Sequence, residues 1–191
     1  KMALIDGQPS VLLQNVNKLI KQKVKDQVQL VEKFAYTLYG NMSNEDLVGR
    51  NDSDLYGAAL SLWQTFNSHA EPVAKIRVFN PEIAKYGWES KHTIVEIVVQ
   101  DMPFLVDSVR MALSRRSITA HLLLHYPLQT ERDSKNHITD FFKLGSKASA
   151  STQQTVFHIE IDRLTDKAAI EALTEELHSV MQDVSIAVQD W

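Results

Sequence analysis

The 191-residue chain contains no cysteine. That absence removes disulfide frameworks, thiolate nucleophiles, cysteine-ligated zinc and iron–sulfur clusters, and it suits a reducing compartment, so the expected location is cytoplasmic. Glycine and proline are scarce, at 6 and 5 residues, which excludes collagen-like and low-complexity chains. No apolar run approaches the roughly 18 residues that a membrane helix needs, and the N-terminus lacks the basic, apolar and small-residue regions of a signal peptide. An excess of one charge is missing too. The 20 Lys plus Arg against 24 Asp plus Glu leave a net charge of -4, too slight for a nucleic-acid footprint or a polybasic membrane anchor. Neither nucleic acid nor membrane is an expected partner. What is present is an ordinary globular balance, 44% hydrophobic and 23% charged, in a length that allows one domain with a substantial extension.

From Ser10 to Leu38 the residues Val16, Ile20, Val24, Val28, Val31, Ala35 and Leu38 recur at steps of three and four, which predicts one long amphipathic helix with Ser10 as its cap. Its lysines, Lys18, Lys21, Lys23 and Lys25, are interleaved with Gln, Asn and Asp and read as a solvated face. Gly40-Asn41 ends the helix, Ser43 to Val48 makes a short helical turn, and Asn51-Asp52 caps a helix with Leu55, Ala59, Leu62, Trp63 and Phe66 on one side. After Glu71-Pro72 the period changes from 3.6 to 2. The expected organisation is a helical leader over 1–71, a sheet-containing domain over 72–182, and over 183–191 the start of a helix leading to a further domain.

In the second part, Ala74, Ile76 and Val78 alternate with Lys75, Arg77 and Phe79, and a loop from Pro81 to Ser90 leads to a strand from His92 to Gln100. Thr93, Val95, Ile97 and Val99 form its expected core face. Asp101-Met102-Pro103 is expected to open a helix as cap and first turn, with Leu105, Val109, Ala112 and Leu113 buried. Ile118 to Tyr126 returns as a strand with Ile118, Ala120, Leu122 and Leu124 on one face. Gln129 to Asn136 turns the chain into a strand at Ile138 to Lys143, and Gly145 to Gln154 reads as a flexible loop. In the next strand Thr155, Phe157, Ile159 and Ile161 face one way and Val156, His158, Glu160 and Asp162 the other. Thr165-Asp166 caps a helix to about Met181, and Val184, Ala187, Val188 and Trp191 continue at helical spacing with neither Gly nor Pro to stop them. The chain is therefore expected to be the front portion of a longer polypeptide.

The turn Gln100-Asp101-Met102-Pro103-Phe104 has no glycine for a pyrophosphate, so neither a dinucleotide fingerprint nor a P-loop is present, and no G-x-S-x-G elbow exists. Ser108 beside Asp107 lacks a positioned base. His92, His121, His125 and His158 fall on strands, near Glu96 and Glu160 in sequence. Such a set suits a metal or shared protons, but without an H-E-x-x-H helix it reads better as the open face of a sheet. The candidate docking face is Glu96, His121, His125, His158 and Glu160. The start of the helix after Gln100 is the best small-ligand position, because free N–H groups converge there; Asp101, Met102, Pro103 and Phe104 are the candidate effector-binding residues.

The order strand, helix, strand, strand, strand, helix resembles a ferredoxin-like α+β sandwich of the ACT type, here preceded by an α-helical leader. Particular strings sharpen the likeness: Lys75-Ile76-Arg77-Val78-Phe79-Asn80-Pro81, Gly87-Trp88, His92 to Val98, Asp101 to Val109, and His158-Ile159-Glu160-Ile161-Asp162-Arg163. Together with Asp54 to Leu60 and Val188-Gln189-Asp190-Trp191, they resemble the N-terminal region of the large bacterial NAD-specific glutamate dehydrogenases. The resemblance implies a parent enzyme that converts L-glutamate, NAD and water to 2-oxoglutarate, ammonia and NADH in a downstream domain. It implies no catalytic, cofactor or metal residue in this segment, with NAD held elsewhere. The implied partners are other domains and subunits of a homo-oligomeric enzyme, and the alternative role is amino-acid sensing. Phe104 stands where ligand-binding ACT members usually carry glycine, which favours assembly over sensing. An independent enzyme on the histidine-bearing face is the remote alternative.

Overall fold

Two short strands, β1 (Leu4–Ile5) and β2 (Gln8–Pro9), pair antiparallel ahead of the first helix. The Ser10 hydroxyl then accepts from the Leu13 N–H at 3.2 Å and opens α1 (Val11–Lys23). The computed structural model describes residues 4–5, 8–68, 73–145 and 152–190. In it the expected single helix to Leu38 is two. The backbone is extended at Val24, and α2 (Val28–Tyr39) starts after Gln27, which lies in the left-handed region at φ 56°. A continuous helix would have stacked Lys21 over Lys25, a like-charge pair one turn apart, and the break separates them.

Ser43 caps α3 (Asn44–Leu47), its hydroxyl accepting from the Asp46 N–H at 3.1 Å. The Asn51 side chain accepts from the Asp54 N–H at 2.8 Å at the start of α4 (Asp52–Asn67). The chain forms two compact units, residues 1–64 with 82–89, and residues 65–81 with 90–191. The boundary expected near residue 72 falls outside the described residues. In the first unit Val16, Ile20, Phe34, Ala35, Leu62 and Trp63 are buried, and the Phe34 and Trp63 rings meet at 5.5 Å. A short helix, α5 (Ile83–Tyr86), lies in the stretch expected as loop and ends on Gly87 at φ 78°. Gly57 admits the neighbouring indole: a Cβ there would stand 2.2 Å from Trp88 Cγ. Two of the strings that carried the family resemblance are thus one packing contact.

The second unit is a five-stranded antiparallel sheet in the order β3-β4-β7-β5-β6. Its elements are β3 (Ala74–Phe79), β4 (Thr93–Gln100), α6 (Leu105–Arg115), β5 (Ala120–Arg132), β6 (Ile138–Lys143), β7 (Thr152–Ile161) and α7 (Lys167–Gln189). β7 lies between β4 and β5, the split β-α-β arrangement of ferredoxin-like folds, and β3 occupies the outer place beside β4. The fold is α+β of the expected ACT-like type. Ile76, Ile97, Phe157 and Ile159 on one sheet face pack against Leu105, Val109 and Leu113 of α6 and Leu173, Leu177 and Met181 of α7. Burying each such side chain contributes about 1.5–3 kcal/mol. Arg115 and Arg116 both reach the Glu176 carboxylate across the helix pair, with Arg116 the main cause holding that carboxyl below its usual range.

Several expectations need correction. β4 and β7 are buried on both faces from Thr93 to Val99 and from Gln154 to Ile161, so neither has an open side. β5 runs on to Arg132 instead of turning at Gln129. Pro127 fits within it because β6 pairing extends only to Leu128, leaving one side of β5 uncovered there. A register shift between Ala120 and Leu122 inserts one extra residue at His121, and a bulge moves every following side chain to the other face. Leu122 and Leu124 therefore lie opposite Ala120, not beside it. Part of the expected loop, Thr152 to Gln154, is strand, and residues 146–151 lie outside the described residues. The two helical segments expected around residue 182 are one helix, capped by the Asp166 carboxylate on the Ala168 N–H at 3.0 Å.

Candidate functional site

The Asp101-to-Phe104 turn departs from its expected form in a way that shapes the site. Asp101 does not cap α6. Its carboxylate accepts from the Thr155 hydroxyl at 2.9 Å, and its N–H donates to Gln153 O at 2.9 Å, so the residue is tied to β7. The cap position falls to Phe104, which has no side-chain capping bond and lies in the left-handed region at φ 68°. That conformation costs a non-glycine residue about 1–2 kcal/mol. Glycine would adopt it without that cost.

A cavity of about 260 Å³ is lined by Asp101, Met102, Phe104 and the first turn of α6, with His125, Pro127 and Thr155 opposite. Pro103 is not part of it. With Phe104, Pro103 lines a second, apolar groove of about 530 Å³, whose other wall is Asp183, Val184, Ala187 and Val188 of α7. The first intrahelical donor of α6 is the Ser108 N–H, to Phe104 O at 3.0 Å, so the preceding N–H groups, on residues that line the first cavity, have no helical acceptor. Asp101 and Asp107 place two carboxylates beside them. The turn does not fit a dinucleotide: no glycine lets the backbone approach a pyrophosphate, and two carboxylates would face its charge.

The candidate docking residues are not one surface. Glu96 is 0% exposed, and its carboxylate accepts from the Thr65 hydroxyl at 2.9 Å and from Arg77 Nη1 at 3.1 Å. Arg77, Glu96, His158 and Leu124 sit in one cross-strand row. His158 and Glu160, also buried, pair at 3.3 Å. An open face made of Glu96, His158 and Glu160 is therefore not what the chain forms; the three are interior, where hydrogen-bonding partners within the second unit engage their polar atoms. His121 and His125 are exposed.

The bulge separates these two as well. His121 sits at the mouth of the sheet, where its Nε2 donates to Asp162 at 2.7 Å and its ring stacks on His92 at 4.3 Å. The Thr119 N–H donates to the same carboxylate at 2.8 Å. This backbone bond, then His121, hold the Asp162 carboxyl below its usual range. His125 lies on the helix-bearing face, stacked on Phe157 at 5.9 Å and lining the cavity beside Asp101. The four histidines thus fall in three places. Among the described residues no group of three or more His, Asp or Glu side chains is arranged to hold a metal ion.

The family described as "Glutamate dehydrogenase, ACT1 domain" matches residues 34–177. The chain belongs to this family. It is 33% identical over 181 residues to a protein of Halomonas elongata named NAD-specific glutamate dehydrogenase, covering 94% of this chain and 11% of that protein. A protein of the same name from Pseudomonas aeruginosa is 35% identical over 158 residues, covering 83% of this chain and 10% of its own length. The chain spans about a tenth of the relatives it matches. No solved structure matches it. Among the described residues, no helix is long and apolar enough to cross a membrane.

Within this ACT1 domain, the residue that sequence reasoning missed most plainly is Arg132. Its guanidinium donates to Phe66 O at 2.7 Å, Asn67 O at 2.9 Å, Asn136 O at 2.7 Å and Gln154 Oε1 at 3.0 Å. Positive charge on the last carbonyls of α4 suits the helix dipole, and burial pulls the guanidinium pKa down. The signal was available: Leu128, Thr130 and Arg132 continue the alternation of β5 through a segment whose polarity suggested a turn. Asn80 was likewise passed over. With Thr93 and Leu164 it closes a ring of bonds, Thr93 hydroxyl to Asn80 Oδ1 at 2.6 Å, Asn80 Nδ2 to Leu164 O at 2.7 Å, and Leu164 N–H to Thr93 Oγ1 at 2.8 Å.

Proposed function

We propose that this chain is a non-catalytic N-terminal packing domain of an NAD-specific glutamate dehydrogenase. In this reading the parent enzyme oxidises L-glutamate with NAD and water to 2-oxoglutarate, ammonia and NADH. The catalytic site and NAD lie in another domain, the enzyme is a cytoplasmic homo-oligomer, and the present segment joins domains and subunits. The helical leader ends near residue 71, the ACT-like domain runs to about 182, and the last turns of α7 lead toward the next domain.

One observation carries the reading. The ionisable side chains that the sheet gathers are engaged within the fold: Glu96 with Arg77 on the neighbouring strand and with the Thr65 hydroxyl of α4, His158 with Glu160 along β7, and His121 with Asp162. A general acid or base needs to reach a substrate proton, and these groups are occupied structurally. Two measurements test it. The 191-residue chain supplied with L-glutamate and NAD forms no NADH, and removing these residues from the full enzyme lowers its assembly mass by light scattering. NADH formation by the isolated chain, or an unchanged subunit number after removal, overturns the proposal.

The cavity at the start of α6 favours a second reading, amino-acid sensing through Asp101, Met102 and Phe104, with Pro103 shaping the turn. Free N–H groups there suit a carboxylate, and Asp101 and Asp107 suit an ammonium group. Calorimetry with a panel of amino acids tests it; no heat with any of them ends that reading.

A further inference from the structure

An apolar groove lies between α6 and α7, open among the described residues. The inner stripe of α7 passes through Leu173, Leu177, Met181 and Ser185, all buried, with Val184 and Val188 half-buried beside its end. Val184, at the edge of the core, forms one wall of the groove with Ala187 and Val188, and Pro103, Phe104 and Ser108 form the other. Phe104 is 64% exposed and adopts its left-handed conformation without a capping bond in return. Strained backbone at an exposed aromatic points to a binding role. At the rim, Asp183 has no cationic partner among the described residues. A partner that fills the groove must therefore be apolar along its length and basic at one end.

Resting on the packing function proposed above, we infer that this groove seats an apolar segment carrying a Lys or Arg, from a domain of the same enzyme outside residues 1–191. The basic side chain meets Asp183, and the apolar side chains cover Phe104, Val184 and Val188. The relatives are roughly ten times as long as the matched segment, so a tethered domain has the highest local concentration of any partner.

The test places the photo-crosslinking residue p-benzoylphenylalanine at position 104 of the full-length enzyme, with a control at the exposed Thr139 of β6. Mass spectrometry of the illuminated enzyme is expected to find the position-104 adduct on an apolar, Lys- or Arg-bearing peptide from outside residues 1–191. Asp183→Lys is expected to lower the yield roughly tenfold, and Asp183→Asn less. An adduct within residues 1–191 of a second copy, no adduct at 104, or a yield unmoved by Asp183→Lys overturns the inference. If 104 gives no adduct while 139 gives one to another domain, the groove fails and the packing function stands. If neither reaches another domain or a second copy, both fail. Circular dichroism of each variant separates loss of docking from loss of fold, and Phe104→Asp supplies a second variant read by the same adduct from a probe at Ile186.

Discussion

On the face of the sheet that carries Arg77, Glu96, His158 and Glu160, charged side chains lie inside the protein. Between α6 and α7, Phe104, Val184 and Val188 line an open groove. The two regions treat polarity in opposite ways, and partner satisfaction explains both. The buried carboxylate of Glu96 has a hydroxyl and a guanidinium within 3.1 Å, so the unfavourable desolvation of its charge is offset inside the fold. The groove has no such closure. Its apolar surface and its single rim carboxylate stay unmatched, and a side chain held in a strained backbone conformation projects beside them. A region whose demands are met internally is structural, and a region whose demands are unmet is where the molecule meets something else.

The largest expected effect breaks the satisfied side of this comparison. Glu96→Ala removes the acceptor for Thr65 and Arg77 and should destabilise the chain by about 3 kcal/mol, read from denaturant midpoints. Glu96→Gln, which keeps the Thr65 bond, should lose less. A loss under about 0.5 kcal/mol for the alanine variant would mean that the row is not structural. Arg132→Ala should follow at about 2 kcal/mol, because four acceptors lose a half-buried donor, and unchanged stability would contradict that bonding.

Phe104→Gly sharpens the other side. It relieves the left-handed strain and should stabilise the isolated chain by about 1 kcal/mol, while weakening association within the full enzyme. A destabilised isolated chain would show that Phe104 serves its own fold. The smallest effect is in acid. Asp162 and Glu176 have folded-state pKa values below their unfolded ones, so the unfolded chain binds more protons as they titrate. Their contribution is complete above the unfolded carboxyl pKa of about 4–4.5 and is lost as pH falls through the depressed folded values. Asp162→Asn with Glu176→Gln should flatten stability against pH in that window, lowering it slightly near neutrality and leaving it unaltered below the depressed folded values.

Much of the second unit was legible in the sequence because period-2 and period-3.6 patterns are local. The order of strands and helices, the stripes of α6 and α7 and the cap at Asp166 follow from spacing and side-chain chemistry. The site was less legible, for physical reasons that can be named. One extra residue at His121 reverses the faces of β5, and an alternation pattern carries no mark of a bulge. Glu96, His158 and Glu160 read as an open face because ionisable residues are seldom buried unless paired, and their partners come from Arg77, Thr65 and each other across strands. Phe104 showed only as a departure from glycine; that it also builds a groove with Val184 and Val188 depends on where a helix some 80 residues later passes.

Hydrogen–deuterium exchange compared between the isolated 191-residue chain and the full enzyme tests the central contrast most directly. The account predicts added protection in the full enzyme at the first turn of α6 and the last two turns of α7, with equal exchange in both samples along β4 and β7. Equal exchange at α6 and α7 in the two samples, or new protection confined to the sheet, would contradict it.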